Sequence, residues 1–405
     1  MDKKLNILLS AYVCAPNRGS EPGYAWNLAC HLARRGHNVH VLTRTYQQFD
    51  IQQELSDIGL PNLKFHFLDI PRLGIFLRRR LPFYIHYFLW QYSALSYANL
   101  LCNYIDLVHH VTWGSLRVSS YMWKTGKPFV FGPVGGGQVA NPSFSEFFGE
   151  YWAQEWLRTL QIRALPYLPS PRRMAQKTDL FLAANMETLD QIKKMKARQV
   201  KLFCDSALPE QFGPKNFSRP TSSEYLRILW VGRIYPIKGL NFALFALKKM
   251  KIPFKLTILG DGPLSSKIPE WLARYGLQNK VDYKGQVDWE TVKGYYATQD
   301  VFLFTSLRES FGGQLLEAMA YGLPIVTLDQ FGARDFVPDQ AGFKVAVTTK
   351  DQTANLLANA LECLWNEPEL RVNMGLVGYH YAKNQTWSKK VVEIERIYHE
   401  VLKMV

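Results

Sequence analysis

Two rhythms of apolar residues alternate along this chain, short unbroken runs and longer stretches at helical spacing, and together they spell repeated strand–loop–helix units. Leu5 to Ser10 reads as a buried strand, Tyr24 to Arg35 as an amphipathic helix stopped by Gly36-His37, and Asn38 to Thr43 as the next strand. Lys3 and Lys4 ahead of an apolar run also outline a signal peptide, but Asp2 and Asn6 break that pattern, and Tyr12 and Val13 fit a cleavage site poorly. A first strand is the better reading, because the small-residue loop Pro16 to Gly23 and a helix follow it as a βαβ unit requires. Further on, Asp106 to His110 and the run Pro128 to Gln138 put polar residues or glycines at a strand's carboxyl end, where open α/β sheets bind ligands. Gly135-Gly136-Gly137 reads equally well as a flexible turn.

The second half repeats the plan. Leu226 to Val231 predicts a strand running into Gly232-Arg233-Ile234-Tyr235-Pro236-Ile237-Lys238-Gly239, with a helix from Leu240 to Met250. Phe254 to Leu259 runs into Gly260-Asp261-Gly262-Pro263, Lys280 to Lys284 precedes Gly285-Gln286-Val287, and Pro324 to Leu328 adds another strand. Pro209, Gly213, Pro214 and Pro220 interrupt the periodicity between Asp205 and Thr221, so a linker belongs there. A chain of 405 residues exceeds the size at which one core keeps growing. The division expected is an α/β domain over 1–205, a second over 206–385, and a helix over 386–405. The apolar spacing of that helix (Val391, Ile394, Ile397, Val401) lets it cross back onto the first domain.

Composition narrows the partners. The hydrophobic content of 47% is that of a globular protein, and the net charge of +14 lies mainly in the first half. Cys14, Cys30, Cys102, Cys204 and Cys363 lie far apart with no C-x-x-C pair, so neither a zinc site nor a disulfide framework is indicated, and a reducing, cytoplasmic compartment is expected. Nucleic-acid binding would rest on net charge alone, with no recognised motif behind it. A nicotinamide dehydrogenase is poorly supported, because Gly260-Asp261-Gly262-Pro263 lacks the full G-x-G-x-x-G fingerprint.

The chemistry concentrates in Val301 to Pro324. The apolar run Val301 to Phe304 suits a buried strand, Gly312-Gly313 a close turn, and Leu315, Leu316, Met319 and Ala320 a helix ended by Gly322. Glu309 then sits on the loop at the strand's carboxyl end and Glu317 in the first turns of the helix, where free N–H groups favour an anion. Two glutamates around a helix start are by themselves often a solvated cap. Arg233 and Lys238 share one strand-to-helix turn, so both cations can reach the same diphosphate. One cation at about 4 Å is worth roughly 4 kcal/mol at an effective dielectric of 20 before desolvation. No D-x-D triplet offers a divalent metal a site, so departure of a nucleoside diphosphate helped by these cations, without metal, is expected.

Arg233 with Lys238, Gly260-Asp261-Gly262-Pro263, and Glu309-x7-Glu317 within E-S-F-G-G-Q-L-L-E-A-M-A-Y-G-L-P resemble the retaining glycosyltransferases of family 4. The resemblance covers most of the chain and is strongest from Leu226 to Val337; in the first domain Gly19-Ser20 stands in place of the usual Gly-Gly. It implies an α/β GT-B fold, two Rossmann-like domains facing across a cleft, with sugar transferred from a nucleotide sugar with retention. It also implies that Glu317 binds the ribose hydroxyls, that Glu309 contacts the transferred sugar or stabilises its charge, and that Arg233 and Lys238 grip the pyrophosphate. By the same resemblance the N–H groups of Phe311, Gly312 and Gly313 hold sugar hydroxyls or phosphate, Gly262 belongs to the donor loop, Val287 lies in the base-contacting loop, and Gly19 lets the first domain's loop close on the phosphates. His109 resembles the first histidine of a D-x-x-H pattern and is placed in the sugar pocket, although Val111 stands where a second histidine is expected. No cofactor or metal is implied, the nucleotide sugar being a co-substrate.

Between Pro71 and Tyr104, Arg72, Arg78, Arg79 and Arg80 are interleaved with Phe76, Phe83, Tyr84, Tyr87, Phe88, Trp90, Tyr92 and Tyr97, with no acidic residue. A second such patch runs from Phe144 to Arg173. Basic and aromatic side chains together suit an anionic membrane surface, and polar residues from His86 to Asn103 disfavour a spanning helix; an aromatic core face with a basic rim is the plain alternative. The partners expected are therefore a nucleotide-sugar donor, a glycan or lipid-linked acceptor, and peripheral membrane contact, in polysaccharide or glycolipid synthesis. A nucleotide-sugar epimerase or a sugar-nucleotide sensor of the same fold are the competing readings; the first would form product from donor alone, the second would bind donor without hydrolysing it.

Overall fold

The computed structural model describes residues 4–70, 82–221 and 224–404, which form two compact units, each built on a parallel sheet. Pro71, Arg72, Phe76 and Arg78 to Arg80 lie outside the described residues.

The first unit comprises residues 1–137, 161–205 and 387–405. Its strands β1 (Asn6–Ala11), β2 (Asn38–Arg44), β3 (Leu63–Leu68), β4 (Leu107–Thr112), β5 (Phe129–Val134), β6 (Leu180–Ala183) and β7 (Val200–Leu202) are ordered β3-β2-β1-β4-β5-β6-β7. Central strands β4, β5 and β6 are buried along their whole length, as the unbroken apolar runs require of a sheet covered on both faces. The helix after β1 starts at Ser20 rather than Tyr24, taking Pro22 and Gly23 into its first turns. Proline is tolerated there because its missing N–H would have had no helical partner. Gly23 is required there because a Cβ would collide with the carbonyl oxygen of Arg18 as the preceding loop folds back. The helix Trp387–Met404 belongs to this unit: Glu395 accepts from Arg35 Nε at 2.7 Å and lies 2.7 Å from His37 Nε2.

The second unit comprises residues 138–160 and 206–386. Residues 138–160, expected in the first domain, join it because Ala140, Phe144, Phe147 and Phe148 are buried in its hydrophobic core. Strands β8 (Leu226–Val231), β9 (Phe254–Leu259), β10 (Val281–Tyr283), β11 (Val301–Phe304), β12 (Ile325–Leu328) and β13 (Gly342–Val345) are ordered β10-β9-β8-β11-β12-β13. The order reverses between β8 and β11, whose Val301 and Phe302 stand in register with Ile228 and Leu229. At such a reversal the loops leaving two adjacent strands diverge to opposite faces and open a crevice at their carboxyl ends.

Candidate functional site

The loops that leave β8 and β11 carry Arg233, Lys238 and Glu309, so the topological reversal brings them to one edge. Backbone bonds stitch the loops together: Leu307 N–H donates to the Ile237 carbonyl at 2.7 Å, and Thr305 Oγ1 donates to the Gly239 carbonyl at 3.0 Å. Gly239, at φ +70°, has room for no side chain, since a Cβ would strike the Thr305 carbonyl oxygen. Across this seam Lys238 Nζ forms an ion pair with Glu309, and the two side chains are 19% and 23% exposed. The cation and carboxylate thus share one small, partly desolvated place, where charge acts more strongly than in open water. Arg233 is exposed, lies 5.7 Å from the Tyr235 ring centre, and makes no ion pair among the described residues.

A cavity of about 520 Å³ opens beside this seam, lined by Gly232, Arg233, Gly260, Asp261, Gly262, Gln286, Val287 and Gln314 among others. Its floor is backbone. Gly232 N–H donates to Leu259 at 3.0 Å, Gly260 N–H to Gly285 at 2.7 Å, and Ile234 N–H to Asp261 at 3.0 Å. A Cβ on Gly260 would collide with the Gly232 carbonyl oxygen and one on Gly262 with that of Ile234. The glycines are there to let three loops pack main chain on main chain. Asp261 accepts from Ser265 and from the Gly262 N–H at 2.7 Å, and those bonds hold its carboxyl below the usual range. Arg233, Gly262 and Val287 line this cavity; Lys238, Glu309 and Glu317 do not, but stand on the turn and helix that flank it.

The helix Gly313–Ala320 starts at the rim. Its N-cap Gly312 sits at φ +102°, and a Cβ there would lie 2.7 Å from the Phe304 ring, so only glycine fits. Nothing but Ser206 Oγ, at 3.8 Å, comes near a Cβ built on Gly313. The first N–H groups of this helix have no intrahelical partner and carry its positive end. Phe311 contributes main chain only, since its side chain is buried edge-on to Phe336 at 5.6 Å. Glu317, one turn in, accepts from the Tyr296 hydroxyl at 3.0 Å. Desolvation raises its carboxyl above the ordinary range, offset in part by hydrogen bonds from Tyr296 and Trp289 and by Lys293.

Tyr296, Trp289, Asp261, Gln286 and Gln314 were not singled out from the sequence. Asp261 and Gln286 lie inside motifs already named. Tyr296 carries no local signal, since its role depends on where the helix Trp289–Thr298 packs.

In the first unit His109 is a core residue. It is fully buried on β4, with Nε2 2.7 Å from the Gly132 carbonyl and Nδ1 2.6 Å from the Tyr398 hydroxyl. A carbonyl only accepts, so Nε2 carries the hydrogen and Nδ1 accepts from Tyr398. Burial pushes the ring down to about 4, partly countered by the Gly132 bond, and the neutral imidazole has no nitrogen left for a ligand. His110 is equally occupied, by Ser10 and Tyr87 at 2.9 Å each. Gly19 is the exposed N-cap of the helix Ser20–Arg34, with nothing within 4 Å of a built Cβ. Beyond it Glu21 accepts from the Gly114 N–H at 2.9 Å, while its second carboxylate oxygen is covered and unpartnered. In the triple glycine Gly137 serves close packing: a Cβ there would come 2.5 Å from Thr188 Cα.

Two Rossmann-like parallel sheets, the second with a cavity at the reversal of strand order, are those of the GT-B fold. Residues 214–380 match the family model of glycosyl transferases group 1, and residues 23–201 that of glycosyltransferase family 4. The chain belongs to the family 4 glycosyltransferases. It is 33% identical over 138 residues to the amylovoran biosynthesis glycosyltransferase AmsK of Erwinia amylovora, covering 32% of this chain and 33% of AmsK. It spans half the length or less of curated relatives of this kind. Sucrose-phosphate synthase from Thermosynechococcus elongatus superposes with a TM-score of 0.68 at 18% identity, over 99% of this chain and 100% of that one. Anabaena HepE, solved with UDP-glucose, superposes with a TM-score of 0.62 at 15% identity over 99% and 100%. At such identities the likeness is one of fold.

Proposed function

We propose that this chain is a retaining glycosyltransferase that takes a sugar from a nucleotide sugar and passes it to a glycan or lipid-linked acceptor, in surface polysaccharide or glycolipid synthesis. The observation that carries this reading is the cavity at the strand-order reversal of the second unit, lined by Arg233, with the Lys238–Glu309 pair on the adjoining turn and Glu317 on the helix whose Gln314 lines it. In this reading the nucleoside lies over Gly262 and Val287 with its ribose on Glu317, a carboxylate held by Tyr296 and able to accept from paired hydroxyls. The pyrophosphate lies against Arg233, Lys238 and the free N–H groups from Phe311 to Gly313. The bond between the anomeric carbon and the phosphate oxygen breaks, its electron pair stays on the diphosphate, the acceptor oxygen bonds to the carbon on the same face, and the acceptor's hydroxyl proton passes to the departing phosphate oxygen. Lys238 and Arg233 take up the charge that develops on the leaving group, which is why no metal is assigned to the step. Glu309, displaced from Lys238 by the phosphate, turns its charge toward the electron-poor sugar ring.

HepE was solved with UDP-glucose, so UDP-sugars are the first donors to try, ahead of GDP- and ADP-sugars. A thermal-shift screen over those three classes tests the donor, and proton NMR of the product tests retention. If no nucleotide sugar stabilises the protein, the reading fails.

The acceptor side is assigned to a peripheral contact with an anionic membrane at the cytoplasmic face. No helix among the described residues is long and apolar enough to cross a membrane. The helix Phe83–Leu101 buries Tyr87, Trp90, Gln91, Ala94 and Ala98 yet exposes Phe83, Tyr84, Ile85, Phe88 and Tyr92. Arg117 lies beside the Tyr84 ring and Lys124 beside Tyr121, which packs on Tyr92, so cations border the exposed aromatics. Co-sedimentation with anionic vesicles at low salt is the expected result, and its failure removes this assignment.

A further inference from the structure

Residues 138–160 grip both of the turns that carry Lys238 and Glu309. On one side their aromatic residues hold the Lys238 turn and the helix after it: Tyr151 lies 5.3 Å from Tyr235, and Phe144 and Phe147 lie 4.8 and 5.1 Å from Phe242. On the other side two polar contacts land on the immediate neighbours of Glu309. Gln138 Nε2 donates to Ser310 Oγ at 3.3 Å, and Glu155 Oε1 lies 2.7 Å from Arg308 Nε. The Arg308 N–H is not aimed straight at the oxygen, so this is a charge pair more than a hydrogen bond. Glu155 and Arg158 are only 6% and 9% exposed, Arg158 lies 3.6 Å from the same carboxylate oxygen, and Arg158 also donates to the Gln138 carbonyl at 2.6 Å.

Buried charge of this kind is costly unless it is paired, and it does little for stability that apolar side chains would not do as well. Its value lies in fixing geometry. We propose that residues 138–160 act as a brace for the Glu309 loop, with Glu155 the positioning residue: through Arg308 it holds the loop where Glu309 meets Lys238. This rests on the assignment of Glu309 and Lys238 to sugar transfer.

The test uses the full chain carrying Glu155→Gln, Arg308→Gln, both together, and Ser310→Ala, with folding checked by circular dichroism and melting temperature. Each of the first two should lower kcat about 10- to 100-fold, the range for misplacing a group by an ångström. UDP affinity by calorimetry should change less than about twofold, and the double variant should be no slower than the slower single, as for two parts of one device. Ser310→Ala, which removes the hydroxyl that Gln138 reaches but leaves the Glu155–Arg308 pair, should show a smaller loss of kcat with the same unchanged UDP binding. Hydrogen exchange supplies a readout independent of activity: residues 305–312 should lose protection in Glu155→Gln while β9 keeps its own. Folded variants with wild-type exchange in 305–312 overturn the brace, as does a kcat loss matched by equal loss of UDP binding. A wild-type chain that transfers no sugar, combined with the expected exchange result, would sink the glycosyltransferase reading and leave the brace standing.

Discussion

Replacing Glu21 by glutamine should make the chain more stable above neutral pH and leave it unchanged in acid. Glu21 is the second residue of the first helix; its carboxylate is desolvated, accepts from the Gly114 N–H, and has Asp205 nearby. Desolvation is the largest cause of its shift, and together these influences raise its carboxyl from 4.5 to about 7. The folded chain therefore holds this proton more tightly than the unfolded chain. Below pH 4.5 both forms are protonated and the contribution to stability is fully present. Between 4.5 and 7 the unfolded chain gives up its proton first, so stability falls as pH rises; above 7 both are ionised and the loss is constant. At about 1.4 kcal/mol per pH unit the full loss is roughly 3 kcal/mol, and partial exposure of the residue reduces it to about 2. Glutamine never ionises and keeps an oxygen for Gly114. Unfolding midpoints of wild type and Glu21→Gln should coincide at pH 4.5 and separate by about 4–8 °C at pH 8, the scale for a unit of this size. A difference between the two proteins that does not vary over this range would refute the reasoning, because the folded chain would then carry no extra proton at Glu21.

Four other outcomes are expected. Lys238→Ala should lower kcat about 100- to 1000-fold, the cost of removing one donor from a developing oxyanion, with donor binding little changed; wild-type turnover would refute its role. Glu317→Ala should instead weaken UDP binding by about tenfold in calorimetry, as loss of a charged hydrogen-bond partner predicts, and turnover at saturating donor should be nearly intact. Gly262→Ala pushes a methyl into the Ile234 carbonyl oxygen, so UDP binding and unfolding stability should fall together, the latter by about 1–3 kcal/mol. His109→Leu leaves the Gly132 carbonyl and the Tyr398 hydroxyl unpaired in the core, costing roughly 2–4 kcal/mol by chemical unfolding while UDP affinity stays at the wild-type value.

Much of the second unit is legible in its residues because its signals are local. An unbroken apolar run such as Val301 to Phe304 reads as a buried strand, and Gly239, Gly260 and Gly312 mark places where the backbone takes positive φ. Glu309 and Glu317 are recognisable for the same reason, since strand, loop and helix follow one another within a short segment. The partners of His109 are not legible because a histidine on a buried strand looks the same in one dimension whatever it faces; here it meets Tyr398, 289 positions away. Residues 138–160 mislead because their aromatic run states that they must be buried, not against which sheet.

What the sequence determined by itself, then, is the set of elements, the loops that need glycine, and the charged residues those loops carry, all consequences of short-range sterics and of alternation between water and core. What only the tertiary structure decided is adjacency: that β8 lies beside β11, that Lys238 therefore meets Glu309, that Tyr296 holds Glu317, and that Glu155 reaches Arg308. Adjacency is settled by which apolar faces bury one another across long stretches of chain, and that packing free energy is shared among residues too far apart in sequence for any one segment to display it.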